Sequence, residues 1–211
     1  ELKSETGGFF NGQDSDTSGM EGVYYLFTPS EVRKVLGEDN GRHFCECYDI
    51  TEEGNMKGRS IPNLLLNNRW RLIPEGYDNF REKLRLFREE RCSLPKNSTV
   101  TVSSNGLMLM ALAKAASCYS DPRYLLEAKE LASFLCGTLL DDTGTLAHCS
   151  SDGLIQGSGT LEDHVFLSLG LLELYTASFD AVLLSTAVRL ADRILDRFTD
   201  AKGGYLDCIS D

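Results

Sequence analysis

Two kinds of apolar pattern alternate along the second half of the chain. Residues 161–175 are apolar on almost every side, which predicts a helix buried all round. Residues 179–198 instead set Leu183, Ala187, Leu190, Ala191 and Ile194 against Arg189, Asp192, Arg193, Asp196 and Arg197, which predicts an amphipathic helix. The same couple stands earlier. Leu107, Met108, Ala111, Leu112 and Ala115 predict one helix, Ser120-Asp121-Pro122 breaks it, and a second helix is expected over 124–140. Asp121, Ala128, Leu131, Ala132, Asp141 and Gly144 recur as Asp180, Ala187, Leu190, Ala191, Asp200 and Gly203, each 59 positions on. So many matches at one spacing indicate an internal repeat of helical hairpins. One buried and one amphipathic helix per repeat predicts inner and outer layers of an α/α toroid or solenoid.

The first half carries shorter signals. Thr28-Pro29-Ser30-Glu31 reads as an N-cap, a first-turn proline and a capping-box glutamate, with Val32, Val35 and Leu36 as the buried stripe and Gly37 as the stop. Tyr77, Phe80, Leu84 and Phe87 form a second stripe among charges. Residues 49–72 and 91–104 read as irregular connections, and Gln156-Gly157-Ser158-Gly159 as a plain loop. Gly7-Gly8-Phe9-Phe10 and Gly203-Gly204-Tyr205-Leu206 resemble each other, which places both ends of the chain inside the repeat array.

Charge and cysteine content narrow the partners. The 211 residues carry a net charge of −11, so phosphate backbones and anionic membranes are repelled; neither nucleic acid nor membrane is an expected partner. No apolar run approaches the roughly 20 residues of a membrane span, and the polar start is no signal peptide. Seven cysteines, an odd number scattered through helical patterns, point to a reducing intracellular compartment rather than a disulfide framework. His43 with Cys45 and Cys47 lacks the four-ligand spacing of a zinc site, and His148 and Cys149 sit without a partner pattern. No metal and no cofactor are expected.

Three ordered blocks carry a resemblance: Gly7-Gly8-Phe9-Phe10-Asn11-Gly12-Gln13-Asp14-Ser15-Asp16, Glu21-Gly22-Val23-Tyr24-Tyr25-Leu26-Phe27-Thr28, and Tyr48-Asp49-Ile50-Thr51-Glu52-Glu53-Gly54-Asn55. Asn105-Gly106-Leu107-Met108 and Leu161-Glu162-Asp163 continue the series. Together they resemble the spermatogenesis-associated protein 20 family. The resemblance implies a thioredoxin-like domain followed by a six-hairpin-glycosidase-like toroid, loosely tied to carbohydrate metabolism. On that reading residues 1–211 are a partial, all-α, incomplete (α/α)6 toroid, a fragment without the thioredoxin-like domain, which would be its partner in a full-length protein. The Cys-x-x-Cys motif is absent, so no redox role carries over. Where the family has a carboxylate stretch and a tryptophan before Asn-Gly-Leu, this chain has Asn97-Ser98-Thr99 and Ser104, which marks a diverged member and leaves its catalysis open.

The acids that remain have two readings each. Asp16, Glu162 and Asp163 are the candidate catalytic carboxylates, with Asp14, Asn105 and His164 as candidate substrate-binding groups around a sugar in a central cavity. Equally, Asp14 and Asp16 can cap a turn, and Glu162 and Asp163 suit a helix N-terminus. The function classes are accordingly a glycosidase- or epimerase-like carbohydrate domain, or a non-catalytic interaction scaffold.

Overall fold

The start signal at Thr28 folds as its chemistry requires. In a computed structural model, which describes residues 2–17, 19–67, 76–119 and 121–209, the Thr28 hydroxyl accepts from the Glu31 N–H while Glu31 accepts from the Thr28 N–H. Ser120 of the expected break and the last residues of the 49–72 connection lie outside the described residues. Two units cluster separately: a smaller unit, Gln13–Pro95, and a hairpin unit, Glu1–Gly12 with Lys96–Asp211.

The smaller unit opens with the two-residue strands β1 (Asp16–Thr17) and β2 (Met20–Glu21), paired antiparallel. Helices α1 (Pro29–Leu36), α2 (Glu38–Cys47) and α3 (Tyr77–Arg91) follow. Phe27, Val32, Leu36, Phe44, Tyr48, Tyr77 and Leu84 form its core, with the Phe44 and Tyr48 rings stacked at 4.4 Å. Helix α2 was not apparent from the apolar pattern, because Gly41 interrupts it and a mid-helix glycine costs about 1 kcal/mol. The structure supplies the reason for that glycine: a Cβ there would lie 2.6 Å from the Arg33 Cα, so α1 and α2 touch backbone to backbone. Charge holds the unit's edge. The Arg91 guanidinium donates to the Val23, Tyr24 and Leu26 carbonyls at 2.8, 3.0 and 2.9 Å and reaches Glu31, which also binds Arg59.

The hairpin unit contains both repeats. Helix α4 (Val102–Cys118) pairs with α5 (Pro122–Phe134), and α6 (Leu161–Ser178) with α7 (Ala181–Arg197). The inner helices α4 and α6 pack on each other with α5 and α7 outside, the wall of an incomplete (α/α) toroid. Two glycines set that contact. A Cβ on Gly106 would meet the Phe166 carbonyl carbon at 2.5 Å, and one on Gly170 would meet the Gly106 oxygen at 2.7 Å. Leu109, Ala113, Leu131, Leu135, Leu167, Leu171, Leu174 and Leu190 fill the space around them.

Two expectations need correction. The helix expected to reach residue 140 leaves α geometry after Phe134 and ends in a π-helical turn, Leu135–Leu139. The segment read as loop before Leu161 is a three-stranded antiparallel sheet, β3 (Val100–Thr101), β4 (Ala147–Ser151) and β5 (Leu154–Ser158), in the order β3-β4-β5. Its short apolar alternation was masked by Gly153 and Gly157. Asp152 and Gly153 both take positive φ, 50° and 80°, as a two-residue hairpin turn requires. Among the described residues no helix is long and apolar enough to cross a membrane.

Candidate functional site

The buried end of the hairpin unit is organised by one carboxylate. Asp163 is the third residue of α6 and completes a capping box with Thr160. It is wholly buried, yet it receives four hydrogen bonds. The Ser103 N–H of α4's first turn donates to Oδ1 at 2.9 Å. The Thr160 N–H, the Thr160 hydroxyl and His148 Nδ1 meet Oδ2 at 2.8, 2.9 and 2.8 Å. Two helix N-termini and a strand are therefore tied to one side chain.

His148 is the group that sequence reasoning missed. Strand β4 points it at Asp163, and its side chain keeps 40 % of its surface exposed. With Nδ1–H donated to the carboxylate, the ring's lone pair lies on Nε2, for which no protein partner is found among the described residues. An imidazole oriented by a buried carboxylate, with its second nitrogen free, is the arrangement a general base needs. Sequence spacing hid it, since the partners lie 15 residues apart on a strand and a helix.

His164, expected beside Asp163, has another role. It is buried, its Nδ1 pairs with the Thr160 carbonyl at 2.7 Å, and its ring packs 4.9 Å from Phe198. Burial, aided by Arg193 and opposed by the Thr160 bond and Asp163, pushes its pKa below the usual histidine value. It is a buried packing group, whereas His148 keeps an exposed edge.

Asn105 is likewise an internal brace. Its Oδ1 accepts from the Phe9 N–H at 2.8 Å, and its Nδ2 donates to the Phe9 and Thr101 carbonyls at 2.9 and 2.8 Å, so the amide pins the N-terminal segment to α4. Glu162 is exposed on α6. In the smaller unit, Asp14 and Asp16 are exposed, and the Asp14 carboxylate accepts from the Asp16 N–H at 3.0 Å, the self-capped turn weighed as their alternative role. Of the six residues, then, the structure joins Asp163 with the neighbourhood of Asn105 and His164, and makes all three part of the framework. Among the described residues no three His, Cys, Asp or Glu side chains gather as a metal site.

No family model matches the chain. It is 27 % identical to mouse (Mus musculus) spermatogenesis-associated protein 20 and 28 % identical to the human (Homo sapiens) protein, over 98 % of its own length and 32 % of theirs. The chain thus spans about a third of the length of the curated relatives it matches. Among solved structures, it superposes on cellobiose 2-epimerase from Spirochaeta thermophila with a TM-score of 0.49 and 25 % identity, over 52 % of this chain and 29 % of that one. A GH76 α-mannanase from Bacteroides thetaiotaomicron gives 0.48 and 21 %, over 55 % and 33 %. Along nearly all of its length, this chain is similar to spermatogenesis-associated protein 20.

Proposed function

We propose that the chain is a carbohydrate-handling helical domain in which His148, held by Asp163, moves the proton. The observation that carries this reading is the 2.8 Å His148–Asp163 contact, with the carboxylate buried and the imidazole open to solvent. The carbohydrate part comes from the family resemblance, and the proton transfer from the geometry. In an epimerisation, Nε2 would take the proton from the carbon next to a sugar carbonyl. The C–H pair would form the C=C bond of an enediolate as the carbonyl π pair moves onto oxygen, and the imidazolium would return the proton to the opposite face after the enediolate turns over. In a hydrolysis the same nitrogen would take the proton of the attacking water. Asp163 holds the tautomer and stabilises the imidazolium in either case. Paired-carboxylate chemistry has less support, because Asp163 already accepts four bonds and Asp14 caps its own turn.

The test is the whole chain against a panel of aldoses and disaccharides in D2O, followed by NMR for deuterium at the carbon beside the carbonyl and for released monosaccharide. Turnover that falls at least about a hundredfold in His148→Gln, the low end of a general-base contribution, with melting unchanged, supports the reading. Turnover unaffected by that substitution, or none with any sugar, overturns it. The second reading, an interaction scaffold, draws on the same saturated bonding at Asp163. It predicts no turnover, and binding of a protein partner that His148→Gln leaves intact.

A further inference from the structure

The hairpin unit holds a cavity of about 340 Å³ whose lining is unusual for its chemistry. Ser98, Thr138 and Ser150 supply hydroxyls, Asp152 supplies one carboxylate, and Phe10 and Phe134 supply an apolar wall. No Lys, Arg or His lines it. An anion would find no countercharge there, and a cation only one acid. A ligand with many hydroxyls and one apolar C–H face would find partners for both.

Three features show a surface kept open. Ser150 is 9 % exposed and lines the cavity. Thr138 is brought to the wall by the π-helical turn Leu135–Leu139, which inserts an extra residue into the helix; such turns cluster at functional sites. The apolar wall is maintained by Gly8, where a Cβ would lie 2.6 Å from Val100 and 2.8 Å from the Phe134 ring. At the rim, Ser98 donates to Asp152 Oδ1 at 2.7 Å, which orients the carboxylate and leaves Oδ2 available.

We infer that this cavity is a binding site for an uncharged, hydroxyl-rich ring, a pyranose sugar or a cyclic polyol. Its link to chemistry rests on the carbohydrate reading above; the binding itself does not. Side chains two apart on a strand share a face, so His148 and Ser150 stand on the same side of β4, about 7 Å apart along it. A sugar bound at Ser150 would extend towards His148 within one ring's length.

The test is titration of the full chain with glucose, mannose, cellobiose and myo-inositol, read by amide shifts and calorimetry. We expect shifts at Thr138, Ser150 and Asp152. Ser150→Leu, which fills the cavity, should abolish binding. Asp152→Asn, which keeps the turn because Asn tolerates positive φ, should weaken it about tenfold, the effect of one or two lost hydrogen bonds. Should Ser150→Leu fail to fold, Asp152→Asn and Thr138→Ala carry the test. No binding by any of the four probes, or binding indifferent to these substitutions, overturns the site. Binding that survives in His148→Gln while turnover is absent from every variant sinks only the proton-transfer reading. Binding lost in His148→Gln but kept in Ser150→Leu places the ligand elsewhere and overturns the present one.

Discussion

The two units of this chain solve close packing by the same device and then part company. In the smaller unit Gly41 lets α2 touch the backbone of α1, and in the hairpin unit Gly106 and Gly170 do the same for α4 and α6. Beyond that contact, the hairpin unit is secured by a leucine-rich core, whereas the smaller unit leans on Arg91, whose guanidinium donates to three backbone carbonyls. The difference teaches where each can fail: the first through shape, the second through charge.

The sharpest break of that comparison is Gly106→Val. With a carbonyl carbon 2.5 Å from the new Cβ, α4 and α6 must separate. We expect a loss of about 3 kcal/mol or more, at the upper end of overpacking effects, in urea melts. Gly137→Ala, with nothing within 4 Å of its Cβ, is the matched control and should be near neutral. Next comes Arg91→Met. It removes a largely buried charge from three carbonyls and Glu31, and should cost about 3 kcal/mol, the lower range for a broken buried pair. Arg91→Lys should recover less than half, because one ammonium cannot span the same acceptors.

Acid separates the units by pH. The folded His164 pKa lies below its ordinary value of 6.5, so the unfolded chain takes up the extra proton. Stability from this group is complete above pH 6.5 and declines as pH falls through that value. At Glu31, burial raises the pKa, but the Arg59 bond, the Thr28 N–H and the charges of Arg59 and Arg91 outweigh it and hold it below 4.5. Its contribution persists until the pH drops below 4.5 and is lost as the folded pKa is crossed. Thermal melts from pH 8 to 3 should therefore show a first decline that His164→Gln removes and a second that Glu31→Gln removes. The smallest effect is Thr28→Ala, which should cost about 1 kcal/mol, the usual loss of an N-cap.

Much of the framework was legible in the residues because it rests on local rules. Thr28 and Glu31 form their box, Gly37 stops α1 with φ of 86°, and Asp121 and Asp180 each cap the outer helix of their repeat. The 59-residue offset located both hairpins. What stayed hidden was set by tertiary contact. Gly41 reads as a helix breaker until Arg33 is known to lie against it. His148 reads as a lone histidine until β4 turns it towards α6. The candidate acids carried a second possibility, and Asp163 and Asp14 do cap a helix and a turn, whereas the His148–Asp163 contact joins a strand and a helix that no local pattern links.

Asp163 also bears on how far the repeats are interchangeable. One of its oxygens closes the first turn of α4, 60 residues upstream. During synthesis the first hairpin would therefore emerge with that N–H uncapped and wait for the second to supply the acceptor. A hairpin transplanted alone would leave the donor behind without its acceptor. Although the sequence repeats, the two copies are a single assembly step, and any recombination of this domain with a relative has to cut outside residues 103–163.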